Sequence, residues 1–395
     1  MAKPVMIIDL ASDSVSGLLL DPTYDKAKKI FCSPTRAVTR VPLPFQPELN
    51  LDRFLNQVVT AMKTVLDALA REPHAHPARV ACFLSAPFYA SQTRLVRHSA
   101  EAPFRVTKDL LDDMVAGDLK EFISQHPQLY AEVLEDKHQV IESKTMQVKL
   151  NRYLTHTPYG KTASEVELHH YVSIGSKKIL DRFHEVIRGS VHRAPIEFHS
   201  FPFALYSICR DHFRDREHRF IIDIGAEITE VLLLSDDILW ESVSFPAGHN
   251  GFVRELTASL NTVPEEALSA LRLYQEGSQN KLASSRVVEG LGRYQQVWIK
   301  YFRETLETLS AEHFIPKDIL AIGDPLTTPI LLDALKQEKY DEILLGGHSF
   351  STTLLNASIL AGQCGYQIGT ATNQGEHLLV GSVFCDKLLN IKQDA

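Results

Sequence analysis

Two stretches of the chain share one hydrophobic rhythm. Residues 5–20, VMIIDLASDSVSGLLL, run apolar into Asp9, break at a small polar turn from Ala11 to Ser14, and resume apolar up to Asp21 and Pro22. Residues 219–260 repeat the unit. An apolar run from Phe220 to Ile222 enters Asp223, a glycine-bearing turn covers Gly225 to Ile228, and runs Val231 to Leu234 and Ile238 to Val243 flank Ser235, Asp236 and Asp237. Short apolar runs bounded by Gly, Ser and Asp predict strands, so each unit reads as a hairpin with an aspartate where its first strand ends. The repetition predicts an internal duplication whose halves face each other across one cleft. Taken alone, the second stretch also fits a buried antiparallel hairpin.

Elsewhere the period changes. From residue 51 to 70, Leu51, Phe54, Leu55, Val58, Val59, Met62, Val65, Leu66 and Leu69 recur at spacings of three and four, which predicts a helix with one buried face. REPHAHP (71–77) ends it, and Val80 to Leu84 reads as a buried strand. His74 and His76, flanked by prolines, read as a solvated loop. From about 86 to 170 polar residues increase: a helix from Lys108 to Ser124 precedes strand-like runs Val140 to Glu142, Met146 to Leu150 and Glu165 to Tyr171. His169 and His170 point to opposite faces of that last strand and cannot share a ligand. The α/β alternation then returns, with helices expected over Ile179 to Ile187 and Pro202 to Cys209 and a strand over Ile196 to Phe198. A charged linker (Arg210 to Arg219), helices over Pro264 to Tyr274 and Val287 to Leu309, and an intervening loop SQNKLASS are also expected.

The hairpin tips suggest chemistry. Gly225 lets backbone N–H groups approach an anion, Thr229 could add a hydroxyl, and Asp223 could hold a water of a hydrated Mg²⁺. Composition narrows the partners. The 395-residue chain is 44% hydrophobic and 23% charged, the makeup of a globular protein long enough for more than one core. A net charge of −8 gives no reason to expect nucleic acid. Cys32, Cys82, Cys209, Cys364 and Cys385 lack ligand spacing and read as reduced thiols, and no run is long and apolar enough to span a bilayer, so a cytoplasmic location is expected.

The residues IIDLASDSVSG and IIDIGAEITEVLLL, followed by FPAGHNGFVREL, resemble the first and second phosphate motifs of the actin-like ATPase superfamily, and DILAIGDPLTTPILLDAL (318–335) resembles its adenosine motif. The run VKLNRYLTHTPYGKTASEVELHHYVSIGS (148–176) is similar to the inserted module of the FtsA and PilM group. The resemblance implies an α/β fold of two ribonuclease-H-like halves around a nucleotide cleft: residues 1–85 and 171–215, then 216–375, with 86–170 as an inserted α+β subdomain and 376–395 as a C-terminal helix. It also implies that ATP and Mg²⁺ bind through Asp9, Ser12, Asp13, Ser14, Asp223, Gly225, Thr229, Gly248, Arg272, Gly323 and Asp324, with Asp9 and Asp223 at the metal.

Three departures weaken the expected site. Ala11 replaces a glycine, only Gly323 precedes Asp324 and Pro325, and Glu227 stands in the second phosphate loop. A carboxylate ~4 Å from a phosphate repels it by ~4 kcal/mol at an effective dielectric of ~20. No glutamate that would polarise an attacking water is identifiable, and the C-terminus, with Lys387 and Lys392 its only basic residues after 376, is expected to pack on the body rather than on a membrane. The resemblance therefore implies a scaffold that organises division or pilus assembly, self-associates or forms filaments, binds envelope proteins, meets membranes only through partners and hydrolyses ATP slowly if at all. A phosphotransfer enzyme of the same superfold is the alternative.

Overall fold

The computed structural model describes residues 3–394 except 27–29, 49, 126–136, 192, 278–280, 345–348 and 367–374. The chain opens with the hairpin β1 (Val5–Leu10) and β2 (Ser14–Leu20), passes the ribbon β3 (Tyr24–Asp25) and β4 (Ile30–Phe31), and returns beside β2 as β5 (Thr35–Pro42). Helix α1 (Leu51–Ala70) follows, capped by the Asn50 side chain, which accepts from Arg53 N at 2.9 Å. Its predicted stripe is buried from Phe54 to Leu69 and covers β2 and β5. At about 1.5–3 kcal/mol per large apolar side chain, that face is what holds the helix in place. Strand β6 (Arg79–Leu84) then pairs parallel to β1.

The next sheet comprises β7 (Ala90–Arg105), β8 (His138–Leu150), β9 (Tyr153–Leu154) and β10 (Thr162–Ser176) in the order β7-β10-β8-β9, with α2 (Lys108–Gln125) on one face. Two of the strand-like runs expected here merge into β8, and β7 is an addition. Its half-exposed pattern, with Arg97 and Glu101 among its exposed residues, leaves no continuous apolar signal.

Helix α3 (Lys177–Ser190), β11 (Ile196–Ser200) and α4 (Phe201–His212) complete the first five-stranded sheet, ordered β11-β6-β1-β2-β5. The second follows: β12 (His218–Ile224), β13 (Thr229–Ser235), β14 (Ile238–Phe245), α5 (His249–Leu260), α6 (Pro264–Gln275), α7 (Lys281–Ser310), β15 (Asp318–Gly323), α8 (Thr328–Gln337), β16 (Ser351–Leu354), α9 (Ala357–Cys364) and α10 (Glu376–Asp394). Its strand order, β14-β13-β12-β15-β16, repeats the first sheet strand for strand, with antiparallel hairpins on one side and parallel strands on the other. The duplication inferred from two short motifs therefore extends to whole sheets. Two local expectations need correction. The charged stretch 210–219 is half regular structure, because α4 runs to His212 and β12 starts at His218, leaving 213–217 as the link; and 281–285 of SQNKLASS belong to α7.

The core is layered. Helices α1 and α3 pack outside the first sheet, and α5, α7 and α8 outside the second. Between the sheets lies a shared core in which Ile7, Leu18, Ile221, Leu232 and Leu320 meet residues of α4, α9 and α10. In α10, Leu379, Val383 and Phe384 are buried, and Phe384 meets the Phe83 ring edge-on at 5.8 Å. The C-terminal helix packs on the body.

Candidate functional site

The equivalent central strands β1 and β12 place Asp9 and Asp223 toward one cleft, 4% and 3% exposed. Asp9 leaves its Oδ1 atom buried with no hydrogen-bond donor among the described residues, whereas Asp223 Oδ1 faces His377 Nε2 at 3.4 Å. An orphaned buried carboxylate oxygen is costly unless a ligand completes it. Burial pushes the Asp9 carboxyl up to about 6, with Asp13 and Asp223 adding to the shift and His377 opposing it. A cavity of about 100 Å³ lies between the two hairpin turns, lined by Asp9, Ser12, Asp13, Ser14, Asp223, Gly225, Gly323, Asp324 and His377 among others. A second, of about 790 Å³, shares Ser12, Asp13, His249, Asp324 and Pro325 with it and extends past Pro44, Glu265 and Arg272. The larger one falls within the usual range for a small-molecule site.

The turns are built tightly. Ser12 Oγ accepts from Ala226 N at 3.2 Å, so the two hairpins touch across the cleft. Asp13 takes the Ser14 hydroxyl at 2.9 Å and Arg40 Nη2 at 2.8 Å. Burial alone would raise its pKa, but His249, Arg40 and Ser14 outweigh that and hold it below the usual carboxylate value. Gly248, the N-cap of α5, sits against the second turn, where an added Cβ would lie 2.3 Å from Gly225 O. The close fit lets His249 N and Asn250 N donate to the carbonyls of Gly225 and Ala226 at 3.0 and 2.9 Å. Gly323 has φ +156°, and a Cβ there would strike Ile224 O at 2.7 Å. Asp324 Oδ1 accepts from Leu326 N, Thr327 N and Thr327 Oγ1 at 3.0, 2.9 and 3.0 Å, fixing the turn into α8. Arg272, exposed on α6, borders the larger cavity.

Thr229 does not reach the cleft. Wholly buried, it donates to Ala247 O at 2.6 Å and accepts from Trp298 Nε1 at 3.0 Å, so its expected phosphate contact is corrected to a support beneath the turn. The charge of Glu227 is also answered. Its carboxylate receives Arg254 Nη2 at 2.7 Å and Nη1 at 2.9 Å, and Asn250 Nδ2 at 2.7 Å. A fork-on-carboxylate pair removes most of the repulsion expected from an isolated charge.

Two residues escaped the sequence reading. His377, in the first turn of α10, brings Nε2 to 3.4 Å from Asp223 Oδ1 while its ring stacks on Phe201 at 4.3 Å. Burial alone would lower its pKa, but Asp223, Asp9 and Asp13 push it up to about 9. Nothing local marks a histidine more than 150 residues from the motif it meets. Glu230 lies opposite Asp223 in the β12–β13 register, 4% exposed, and accepts the Tyr89 hydroxyl. Burial and Asp223 push its carboxyl up to about 8, against hydrogen bonds from Tyr89 and the Ala86 backbone. Its signal was present: a lone acid in a strand otherwise apolar from Val231 to Leu234.

No protein-family profile matches the chain, and no curated protein matches it in sequence. Solved structures do. The PilM–PilN type IV pilus biogenesis complex is similar over 98% of both chains, at 13% identity and a TM-score of 0.62. The chain has the actin-like ATPase fold. A Bacteroides thetaiotaomicron protein described as having the actin-like ATPase fold and unknown function matches over 89% of this chain and 91% of its own, at 11% identity and a TM-score of 0.43. A MamK double helical filament matches over 93% and 98%, at 11% identity and 0.42. In this actin-like fold Asp9 and Asp223 occupy corresponding positions of the two repeated sheets, each on the central strand. Among the described residues no helix is long and apolar enough to cross a membrane.

Proposed function

We propose that the protein is an actin-like nucleotide-binding scaffold that holds ATP with Mg²⁺ between the turns Asp9–Ser14 and Asp223–Ile228, and that partner binding rather than fast turnover is its purpose. The observation that carries the reading is the pair of buried carboxylates, Asp9 and Asp223, at equivalent places in the two repeated sheets, with Asp9 Oδ1 left without a donor among the described residues. Two hard oxygen donors facing a small polar cavity suit Mg²⁺, which keeps several of its waters and is bound by one or two carboxylates plus phosphate. When bound, the ion would neutralise phosphate charge. Ser12, Ser14 and the Gly225 turn would line the phosphates, while Arg272, Glu265 and Asp324 would border the nucleoside.

A thermal and calorimetric titration of nucleotide-free protein with ATP and ADP, with and without Mg²⁺, tests this. At about 100 times the dissociation constant, ligand should add ~2.7 kcal/mol of stability. No response at millimolar ATP would mark the cleft as vestigial. The partner role is supported by the similarity to PilM, solved in complex with PilN. We assign it to the β7–β10 sheet with α2, where Tyr153, Leu154 and Tyr159 are 79%, 54% and 60% exposed. Tyr153→Ser with Leu154→Ser should abolish self-association by sedimentation without moving the nucleotide response; unchanged assembly would place the interface elsewhere. Glu230, an acid on the cleft wall, favours phosphotransfer as a second reading. ATP turnover above about 1 s⁻¹, the low end for ordinary enzymes, would select it.

A further inference from the structure

Far from the cleft, a second set of chemistry-bearing side chains meets in the sheet that carries α2. Ser143 Oγ lies 2.9 Å from His170 Nε2, and His170 Nδ1 lies 2.8 Å from Asp118 Oδ2. His170 is wholly buried and Asp118 7% exposed, whereas Ser143 is exposed. Arg94 Nε donates to the other Asp118 oxygen, fixing the carboxylate in its plane. Three elements contribute: Ser143 from β8, His170 from β10 and Asp118 from α2. The β10–β8 register shifts between His169 and His170, and such a bulge re-aims a side chain. It leaves His169 edge-on to Trp240 at 4.9 Å and turns His170 toward α2.

We propose that Ser143, His170 and Asp118 form a nucleophilic relay that accepts an acyl group from a carboxylic ester. The arrangement meets the geometric test for an activated serine: a hydroxyl in hydrogen-bond reach of an imidazole whose second nitrogen is held by a buried carboxylate. Burial alone would raise the Asp118 pKa, but His170 and Arg94 outweigh it and keep the group ionised, so His170 presents Nε2 as acceptor to Ser143. In the forward step Ser143 Oγ bonds to the ester carbonyl carbon and its proton passes to His170 Nε2. The carbon–oxygen bond to the alcohol breaks, and the leaving oxygen takes that proton. Water, deprotonated by the same nitrogen, then releases the acid and restores Ser143, so ester and water give acid and alcohol. A groove of about 690 Å³ starts at Thr145, two residues along the same face, where Leu111, Val115 and Val148 lie beside Asp112, Arg210 and Asp211, a mixed lining that suits a short-chain ester.

The test uses the full chain with an alkyl fluorophosphonate, read by intact mass and peptide mapping, and p-nitrophenyl butyrate hydrolysis alongside. One adduct should form, on Ser143, and vanish in Ser143→Ala, a surface change that leaves melting and nucleotide response as they were. Asp118→Asn should slow labelling by about 10²-fold or more, and Asp118→Glu should recover part of the loss, a rescue that a merely structural carboxylate would not show. His170→Gln replaces a buried ring and need not fold, so Ser143→Ala decides. A folded wild-type chain with no adduct on Ser143 identifies the trio as hydrogen-bonded support for a buried histidine and overturns the proposal, as does labelling that persists in Ser143→Ala.

Discussion

Replacing Glu230 by Gln should change how stability depends on pH, and the size of the effect follows from where the residue sits. Glu230 is 4% exposed and directly opposite Asp223, so two acids share one face of an antiparallel pair. Its carboxyl moves from 4.5 up to about 8. A group that holds its proton more tightly when folded contributes stability that is whole below pH 4.5 and is lost as pH rises through 8. At about 1.4 kcal/mol per pH unit, the loss is about 3 kcal/mol at pH 7 and about 4 kcal/mol at pH 8. Glutamine keeps the shape, still accepts the Tyr89 hydroxyl, and has no proton to lose. Asp9, raised to about 6, and His377, raised to about 9, also cost stability as pH climbs, but they do so in both proteins and largely cancel in the difference. Urea unfolding of wild type and Glu230→Gln at pH 5, 6, 7 and 8 should therefore give curves that nearly coincide at pH 5 and separate by several kcal/mol at pH 8, the variant above. A constant offset across the range would show that Glu230 keeps an ordinary pKa and that the cleft is wetter than its burial indicates.

Glu227→Gln should strip Arg254 of its carboxylate, costing about 1–2 kcal/mol in a denaturant melt for a half-buried charged pair. ATP affinity in calorimetry should change little, because Arg254 already answers the carboxylate's charge and stays bonded to the carbonyls of Gln46 and Pro47. Gly248→Ala drives a Cβ into two backbone carbonyls of the turn and should cost about 2–3 kcal/mol while weakening nucleotide, seen as parallel losses in melting and titration. Phe384→Ala empties a site against Phe83 and His199 and should cost about 3–5 kcal/mol of chemical stability.

Elements with a strong local rhythm were legible in advance. The α1 stripe, the two motif hairpins and β6 follow from periodicity because each buries one continuous apolar face. Strand β7 was not, since its outward residues are charged and its inward ones few. The cleft was half legible. Asp9 and Asp223 announce themselves at strand ends, but the role of Thr229 depends on which face of β13 meets Trp298, a matter of tertiary register. The neutralisation of Glu227 required Arg254 one helix away, and His377 reaches the motif only because the chain's last helix folds back between the sheets.

That last helix has a consequence for how the molecule is made. Helix α10 packs on β1, β2 and β4 of the opening segment, and its Phe384 and Gly381 close over Phe83. A ribosome adding about 5–20 residues per second needs on the order of a minute to travel from β1 to α10. The first sheet therefore emerges early and waits, with Ile7, Leu18 and Phe83 uncovered, until the helix that covers them has been made. The nascent amino-terminal half should thus be a chaperone client until α10 has emerged, and a chain stalled just before residue 376 should be recognised as unfinished although both sheets have been made.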